Sequence, residues 1–228
     1  MSGVSIDELR VMPLFEGLAP ELLEPLSRIM TVRSHPANQT IILQNDWGNS
    51  VYFVMAGWVK VRTFNLDGKE VTLNILGPGE VVGEMAALDE APRSTDVIAL
   101  TPAKVALMPA KSFIEFLESD SACGVRLAQL ISRRLRQINR RLQLREAGST
   151  ARVADVLLFL AEFRGHVSRA GVEVPNLPHR ELGSLSGLAR ETVTRILGKL
   201  EQKGLIQRDR DRDIVCIPNM DSLEDLLL

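Results

Sequence analysis

Two strings in this 228-residue chain gather side chains able to engage phosphate and sugar. The first is GEVVGEMAALDEAPRSTDV, residues 79–97. Gly83-Glu84-Met85-Ala86-Ala87 puts small residues and backbone amides at the start of a predicted short helix. Such a turn can donate N–H groups to an anion. Arg93 follows Pro92 and supplies a guanidinium that a phosphate can bridge, and Ser94 adds a hydroxyl donor. Glu84 repels phosphate but can accept from a ribose hydroxyl. Read as residues alone, the string has an alternative, in which Glu84 and Arg93 simply pair to close a loop.

The second string is HRELGSLSGLARETVTRILGKLEQKGLI, residues 179–206. Leu182 and Leu185 line a first helix, Gly187 permits a tight turn, and Leu188 can plug between helices. Val193, Ile196, Leu197 and Leu200 give a second helix an apolar inner face. Arg190, Glu191, Thr194 and Arg195 fall on the other side, near its N-terminal end. That end is what a recognition helix inserts into the major groove of duplex DNA. There an arginine can fork onto guanine O6 and N7, and a carboxylate can accept from cytosine N4. An Arg-Glu pair on a helix can also be a solvated face. The two-helix turn, the plug, the division of faces and a following two-stranded wing favour DNA reading. Ala189 precedes the second helix and is a poor cap.

These groups need elements to hold them. Residues 9–30 read as short helices punctuated by Pro13, Gly17 and Pro20. From 31 to 108 the texture is β-rich, with predicted strands at 40–43, 51–55, 58–64, 70–75, 81–82, 95–100 and 104–107. Asp67-Gly68 between alternating runs is a hairpin signal, and short strands at this spacing imply an antiparallel barrel or jelly roll. Helical texture returns near Lys111. In the long segment 121–145, Ala128, Ile131, Leu135, Ile138 and Leu142 recur at alternating steps of three and four. This is the seam of a coiled coil, which self-pairing into a parallel dimer would bury. The alternative is packing on the same chain's barrel. Alternating spacing and all-arginine flanks favour the dimer. Residues 146–150 read as a hinge, with Ser149 or Thr150 as cap of the next helix, 151–163. Residues 165–178 read as a loop with a short strand. The runs 205–208 and 214–217 flank a charged turn and form the wing.

Composition narrows the function classes. Lys plus Arg number 27 against 29 Asp plus Glu, so net charge does not itself point to nucleic acid. The distribution does more, because every charged residue from Arg126 to Arg145 is an arginine. Cys123 and Cys216 are too few for a disulfide framework or a four-thiolate iron–sulfur cluster, and His35, His166 and His179 show no metal-ligand spacing. No nucleophile–base constellation appears, so the chain is not read as an enzyme. No apolar run approaches the roughly 18–20 residues of a membrane span, and the first residues lack a signal core. The expected place is the cytoplasm, away from membrane.

Both strings resemble those of the CRP–FNR family of transcription regulators. ARETVTRILGKLEQKGLI (189–206) is similar to the family's recognition helix and wing entry, and GEMAALDEAPRS (83–94) to the phosphate-binding cassette of cyclic-nucleotide domains. The resemblance covers nearly the whole chain. It implies an α+β fold: an N-terminal β-roll at 1–120, a dimerisation helix and hinge at 121–147, and a winged helix-turn-helix at 148–228. It also implies that Gly83 and Glu84 hold a ribose 2′-hydroxyl, that Met85 and Ala86 offer backbone amides, and that Arg93 and Ser94 clamp a cyclic phosphate. Arg190, Glu191 and Arg195 match base-reading positions for a TGTGA inverted repeat. His179, Arg180 and Thr192 match positions near phosphate, and RNA polymerase is the expected further partner. Members sensing haem, oxygen or 2-oxoglutarate generally lack the full cassette, so neither haem nor an iron–sulfur cluster is expected and cyclic AMP is favoured. Cyclic-AMP regulators place a Thr-Ser pair over the purine. Here Ile138 and Asn139 align with it; Asn139 can hydrogen-bond a base and Ile138 cannot, which leaves purine selectivity open. Two rival readings remain: a regulator that is constitutive or senses another nucleotide such as cyclic di-GMP, and a nucleotide-binding subunit whose C-terminal domain docks protein.

Overall fold

A computed structural model describes residues 3–227. The chain divides into two compact units, the first ending at Ser132 and the second starting at Arg133. The first opens with α1 (Ile6–Arg10), a 3-10 turn at Pro13–Phe15 and α2 (Pro20–Ile29). Ser5 and Glu8 form a capping box that satisfies two orphan amides of α1. Strands follow: β1 (Thr31–His35), β2 (Thr40–Ile42), β3 (Ser50–Ala56), β4 (Val59–Phe64), β5 (Glu70–Leu76) and β6 (Val81–Val82). After the short helix α3 (Glu84–Leu88) come β7 (Asp96–Ala99), β8 (Ala103–Pro109) and α4 (Ala110–Ser119). The strands form two antiparallel four-stranded sheets, ordered β1-β8-β3-β6 and β2-β7-β4-β5, which is the expected jelly roll. The β4–β5 turn closes as its residues dictate. Gly68 takes a left-handed φ of 73°, and the Asn65 side chain accepts from the amides of Asp67 and Lys69 at 3.1 and 2.8 Å.

β1 is a strand that the sequence did not announce. Arg33 and Ser34 are exposed, so no apolar alternation marks it. Its pairing with β8, from Thr31 opposite Leu107 to His35 opposite Ala103, makes it a strand. Inside the roll lies a core of Ile42, Val54, Val59, Leu76, Val82, Val97, Val105 and Leu107. A second core gathers Phe15, Phe53, Phe113 and Phe116 with residues of α1, α2, β3, β8 and α4, the rings 5.1–6.3 Å apart.

The long helix α5 (Ser121–Gln143) stops two residues before the expected end, and Leu144–Glu146 tightens into a 3-10 turn. Cys123 and Leu127 on α5 are buried in the phenylalanine core of the first unit. The predicted seam is a separate, neighbouring stripe. Ile131, Leu135, Ile138 and Leu142 are 37–56% exposed.

The second unit is built around α6 (Ser149–Arg164), which is apolar nearly all round and buried accordingly. Its N-cap is Gly148, which corrects the expected cap. Ser149 and Thr150 lie one and two positions inside the helix, and no side chain caps it. Then come β9 (His166–Ser168), β10 (Gly171–Pro175), α7 (His179–Ser186), α8 (Arg190–Gln202), β11 (Gln207–Asp209), β12 (Ile214–Ile217) and α9 (Met220–Glu224). The wing strands β11 and β12 pair antiparallel as expected, and β12 continues into β10 and β9, giving a four-stranded sheet in the order β11-β12-β10-β9. The Gly and Pro that bound β10 read as loop signals, and its pairing with β12 on one side and β9 on the other overrides them. β11 begins at Gln207 because Leu205 still serves α8, its amide donating to the Leu200 carbonyl at 3.0 Å beyond a left-handed Gly204.

Candidate ligand pocket and candidate nucleic-acid interface

The cassette is shaped by Gly83 and Arg93. Gly83 precedes α3 with φ 81°, a conformation that a side chain would strain. A Cβ there would sit 2.6 Å from the Arg93 guanidinium. Arg93 is 4% exposed and donates Nη1 to the Gly83 carbonyl at 2.7 Å and Nη2 to the Ser50 carbonyl at 2.5 Å. Its guanidinium lies over the Tyr52 ring, 5.8 Å from the centroid. Its backbone is pinned as well, the amide donating to the Asp46 carbonyl and the carbonyl accepting from the Asn45 amide. Two residues after Ser94, Asp96 accepts from the Gln44 amide at 2.8 Å and from Arg62 at 3.2 Å, and Arg62 and Lys60 share Glu70. This network fixes the start of β7 and so the loop that carries Arg93.

The arrangement suits a bound anion. Arginine has five N–H donors, and two of those on Arg93 hold carbonyls. Three remain for a phosphate, inside a protein wall where charge-assisted bonds are strong. No side chain caps α3, so its first amides are not consumed by a cap. Glu84 is buried, Ala86 half-buried, and Met85 and Ser94 exposed. Asn139 is exposed on α5 in the second unit. Sequence reasoning missed Ser50, whose carbonyl orients the guanidinium from 43 residues away. Nothing in a serine at a strand end signals that role.

In the second unit α7 and α8 are joined by Gly187-Leu188-Ala189, with Gly187 left-handed at φ 65°. Val193, Ile196, Leu197 and Leu200 are 0–2% exposed and lock α8 inward. Arg190, Glu191, Thr194 and Arg195 are exposed on its other face, Thr192 is half-buried, and Ala189 offers no side-chain cap. The Thr194 hydroxyl is engaged. It donates to the Arg190 carbonyl at 3.0 Å and lies 2.7 Å from Nδ1 of His179. His179 therefore joins the start of α7 to the reading face of α8. Burial holds its imidazole below the usual range, and the Arg208 and Arg190 cations act the same way. Arg180 is exposed beside it, its Nε 2.9 Å from the Glu181 carboxylate. Arg208, also missed from sequence, reaches this corner because Glu201 of α8 holds its guanidinium.

Among the described residues no group of three or more His, Cys, Asp or Glu is placed to hold a metal, and no helix is long and apolar enough to cross a membrane. Residues 32–120 match the cyclic nucleotide-binding domain family, and residues 151–226 match the Crp-like helix-turn-helix domain. The chain is 35% identical over 199 residues to the cyclic AMP receptor protein of Thermus thermophilus, covering 86% of this chain and 88% of that one. It is 30% identical over 177 residues to the cAMP-activated global transcriptional regulator CRP of Salmonella typhimurium, covering 77% and 84%. The crystal structure of the Thermus thermophilus catabolite activator protein superposes with a TM-score of 0.52 at 32% identity, covering 94% of this chain and 98% of that one.

Proposed function

Because the chain belongs to the CRP–FNR family of DNA-binding transcription regulators, with a cyclic nucleotide-binding domain and a Crp-like helix-turn-helix, we propose that it is a homodimer gated by cyclic AMP that reads a TGTGA-type inverted repeat. The observation that carries the ligand reading is the buried Arg93, held by two carbonyls beside the left-handed Gly83 with three donors to spare. Those donors and Ser94 would clamp the cyclic phosphate, the amides of Met85 and Ala86 would add to the clamp, and Gly83 and Glu84 would take the ribose 2′-hydroxyl. Asn139 would meet the purine.

The exposed stripe of Ile131, Leu135, Ile138 and Leu142 supports pairing of two α5 helices. Arg190, Glu191 and Arg195 would read bases, with Thr194 on the same face. His179, Arg180 and Thr192 would lie near phosphates. Ligand shifts the population toward a dimer whose two α8 helices stand about one DNA turn, roughly 34 Å, apart. Regions 1–120, 121–147 and 148–228 divide these roles. The protein acts as a regulator and not an enzyme, in the cytoplasm, with RNA polymerase as its partner at promoters.

The test is fluorescence anisotropy of a duplex carrying the repeat, with cyclic AMP, cyclic GMP, cyclic di-GMP or no nucleotide, at two salt concentrations. Cyclic AMP should raise affinity, and added salt should lower it. Equal affinity without nucleotide means a constitutive regulator, and a response to cyclic di-GMP alone means another signal. Absence of salt-dependent duplex binding would favour a protein-docking subunit.

A further inference from the structure

Arg152, in the first turn of α6, reaches across the second unit to the turn between α7 and α8. Its Nε donates to the Ser186 carbonyl at 2.8 Å, and its Nη2 to the Gly187 carbonyl at 2.9 Å. These carbonyls end α7 and carry the negative end of its dipole, where a guanidinium is well matched. A third, longer contact runs from Nη1 to the Arg145 carbonyl at 3.4 Å, in the 3-10 turn that ends the long helix. One side chain thus touches both the 3-10 turn that follows α5 and the helix-turn-helix.

Within the turn the Gly187 and Leu188 amides bond the Gly183 carbonyl, and Arg152 adds a tie from outside. Ala189 gives α8 no side-chain cap, so nothing at the start of α8 anchors the connection in that way. The packing around it is close. A Cβ on Gly187 would come within 2.5 Å of Arg152 Nη2, and a Cβ on Gly183 within 2.6 Å of the Leu188 carbonyl. The backbone therefore approaches Arg152 as closely as a glycine allows.

We propose that Arg152 is a positioning residue: it ties the segment after α5 to the α7–α8 turn and so sets the angle at which α8 meets DNA in response to ligand. This rests on the reading of α8 as the base-reading helix and of the cassette as the gate. The geometry requires a fork, because two carbonyls are held by two different nitrogens. A lysine keeps the charge but can satisfy one carbonyl well at most.

The experiment uses the full-length protein, as wild type, Arg152→Met and Arg152→Lys. Binding to the inverted repeat and to a scrambled duplex is measured with and without cyclic AMP, and calorimetry follows cyclic AMP itself. Arg152→Met should shrink the nucleotide-dependent gain in binding to the repeat by about tenfold or more. Affinity for cyclic AMP and for the scrambled duplex should stay within about twofold. Arg152→Lys should recover part of the gain. If binding to the repeat falls equally with and without nucleotide, or does not change, the proposed coupling is wrong. Hydrogen exchange tests the tie independently of any DNA result. The Gly187 and Leu188 amides, both bonded to the Gly183 carbonyl, should exchange about tenfold faster in Arg152→Met, while those of the α6 core hold. Unchanged exchange there overturns the tie even if DNA reading stands. A wild type that ignores nucleotide or sequence refutes the underlying reading, and the exchange result then decides the tie alone.

Discussion

Replacing Arg93 by methionine keeps most of the side-chain volume and removes the guanidinium. In the structure the group is 4% exposed, so solvent does little to screen it. Two of its donors hold the Gly83 and Ser50 carbonyls, and a phosphate would take a fork from the remaining three. A hydrogen bond to a charged group contributes roughly 1.5–3 kcal/mol, so a two-pronged clamp is worth about 3–4 kcal/mol after some loss to desolvation. That corresponds to about a 100- to 1000-fold weaker Kd for cyclic AMP. The same change frees two carbonyls that shape the cassette and should destabilise the first unit by about 1–3 kcal/mol. Isothermal calorimetry with cyclic AMP reads the first effect, and a melt without ligand reads the second. Arg93→Lys keeps the charge and loses the fork, so it should fall between wild type and Arg93→Met. If Arg93→Met binds cyclic AMP within about threefold of wild type, Arg93 is a structural brace and the assignment of the cassette to a phosphate is wrong.

Ile138→Lys places two like charges at the facing seam of α5 and should convert a dimer into a monomer at micromolar concentration; sedimentation velocity checks this, and a monomeric wild type would sink the seam reading. Glu191→Ala should lower discrimination at one base pair of each half-site by about 1–3 kcal/mol while non-specific affinity holds or rises. Competition against a library of half-site substitutions measures it, and an unchanged preference at every position would make Glu191 a solvated carboxylate. For His179, the folded protein holds the imidazole below its ordinary value of about 6.5, so the unfolded chain takes up the proton more readily. Its stabilising contribution is therefore present above that value and is lost as pH falls through it toward the lower folded value. Melts of the full chain from pH 8 to pH 5 should show a decline for wild type that is shallower in His179→Gln, and parallel curves would contradict the assignment.

Much of this molecule is written in short stretches of its sequence. The Asp67-Gly68 hairpin and the division of α8 into a buried face and an exposed face each depend on residues at most ten or so positions apart. Over such distances the period of apolar residues and the left-handed freedom of glycine determine the geometry almost alone. The seam of α5 is local too, because its spacing places Ile131, Leu135, Ile138 and Leu142 on one stripe whatever lies beside it. Other features depended on partners far along the chain. β1 is a strand because β8 lies next to it, and β10 because β12 and β9 do, which extends the wing hairpin into a four-stranded sheet. Ser50 orients Arg93 across 43 positions, and Arg152 reaches Ser186 across 34. A carbonyl has no side-chain signature, and an arginine on a helix looks the same in sequence whether it is solvated or clamps a turn. Only folding brings the distant backbone within hydrogen-bond reach, and burial then makes such a contact obligatory.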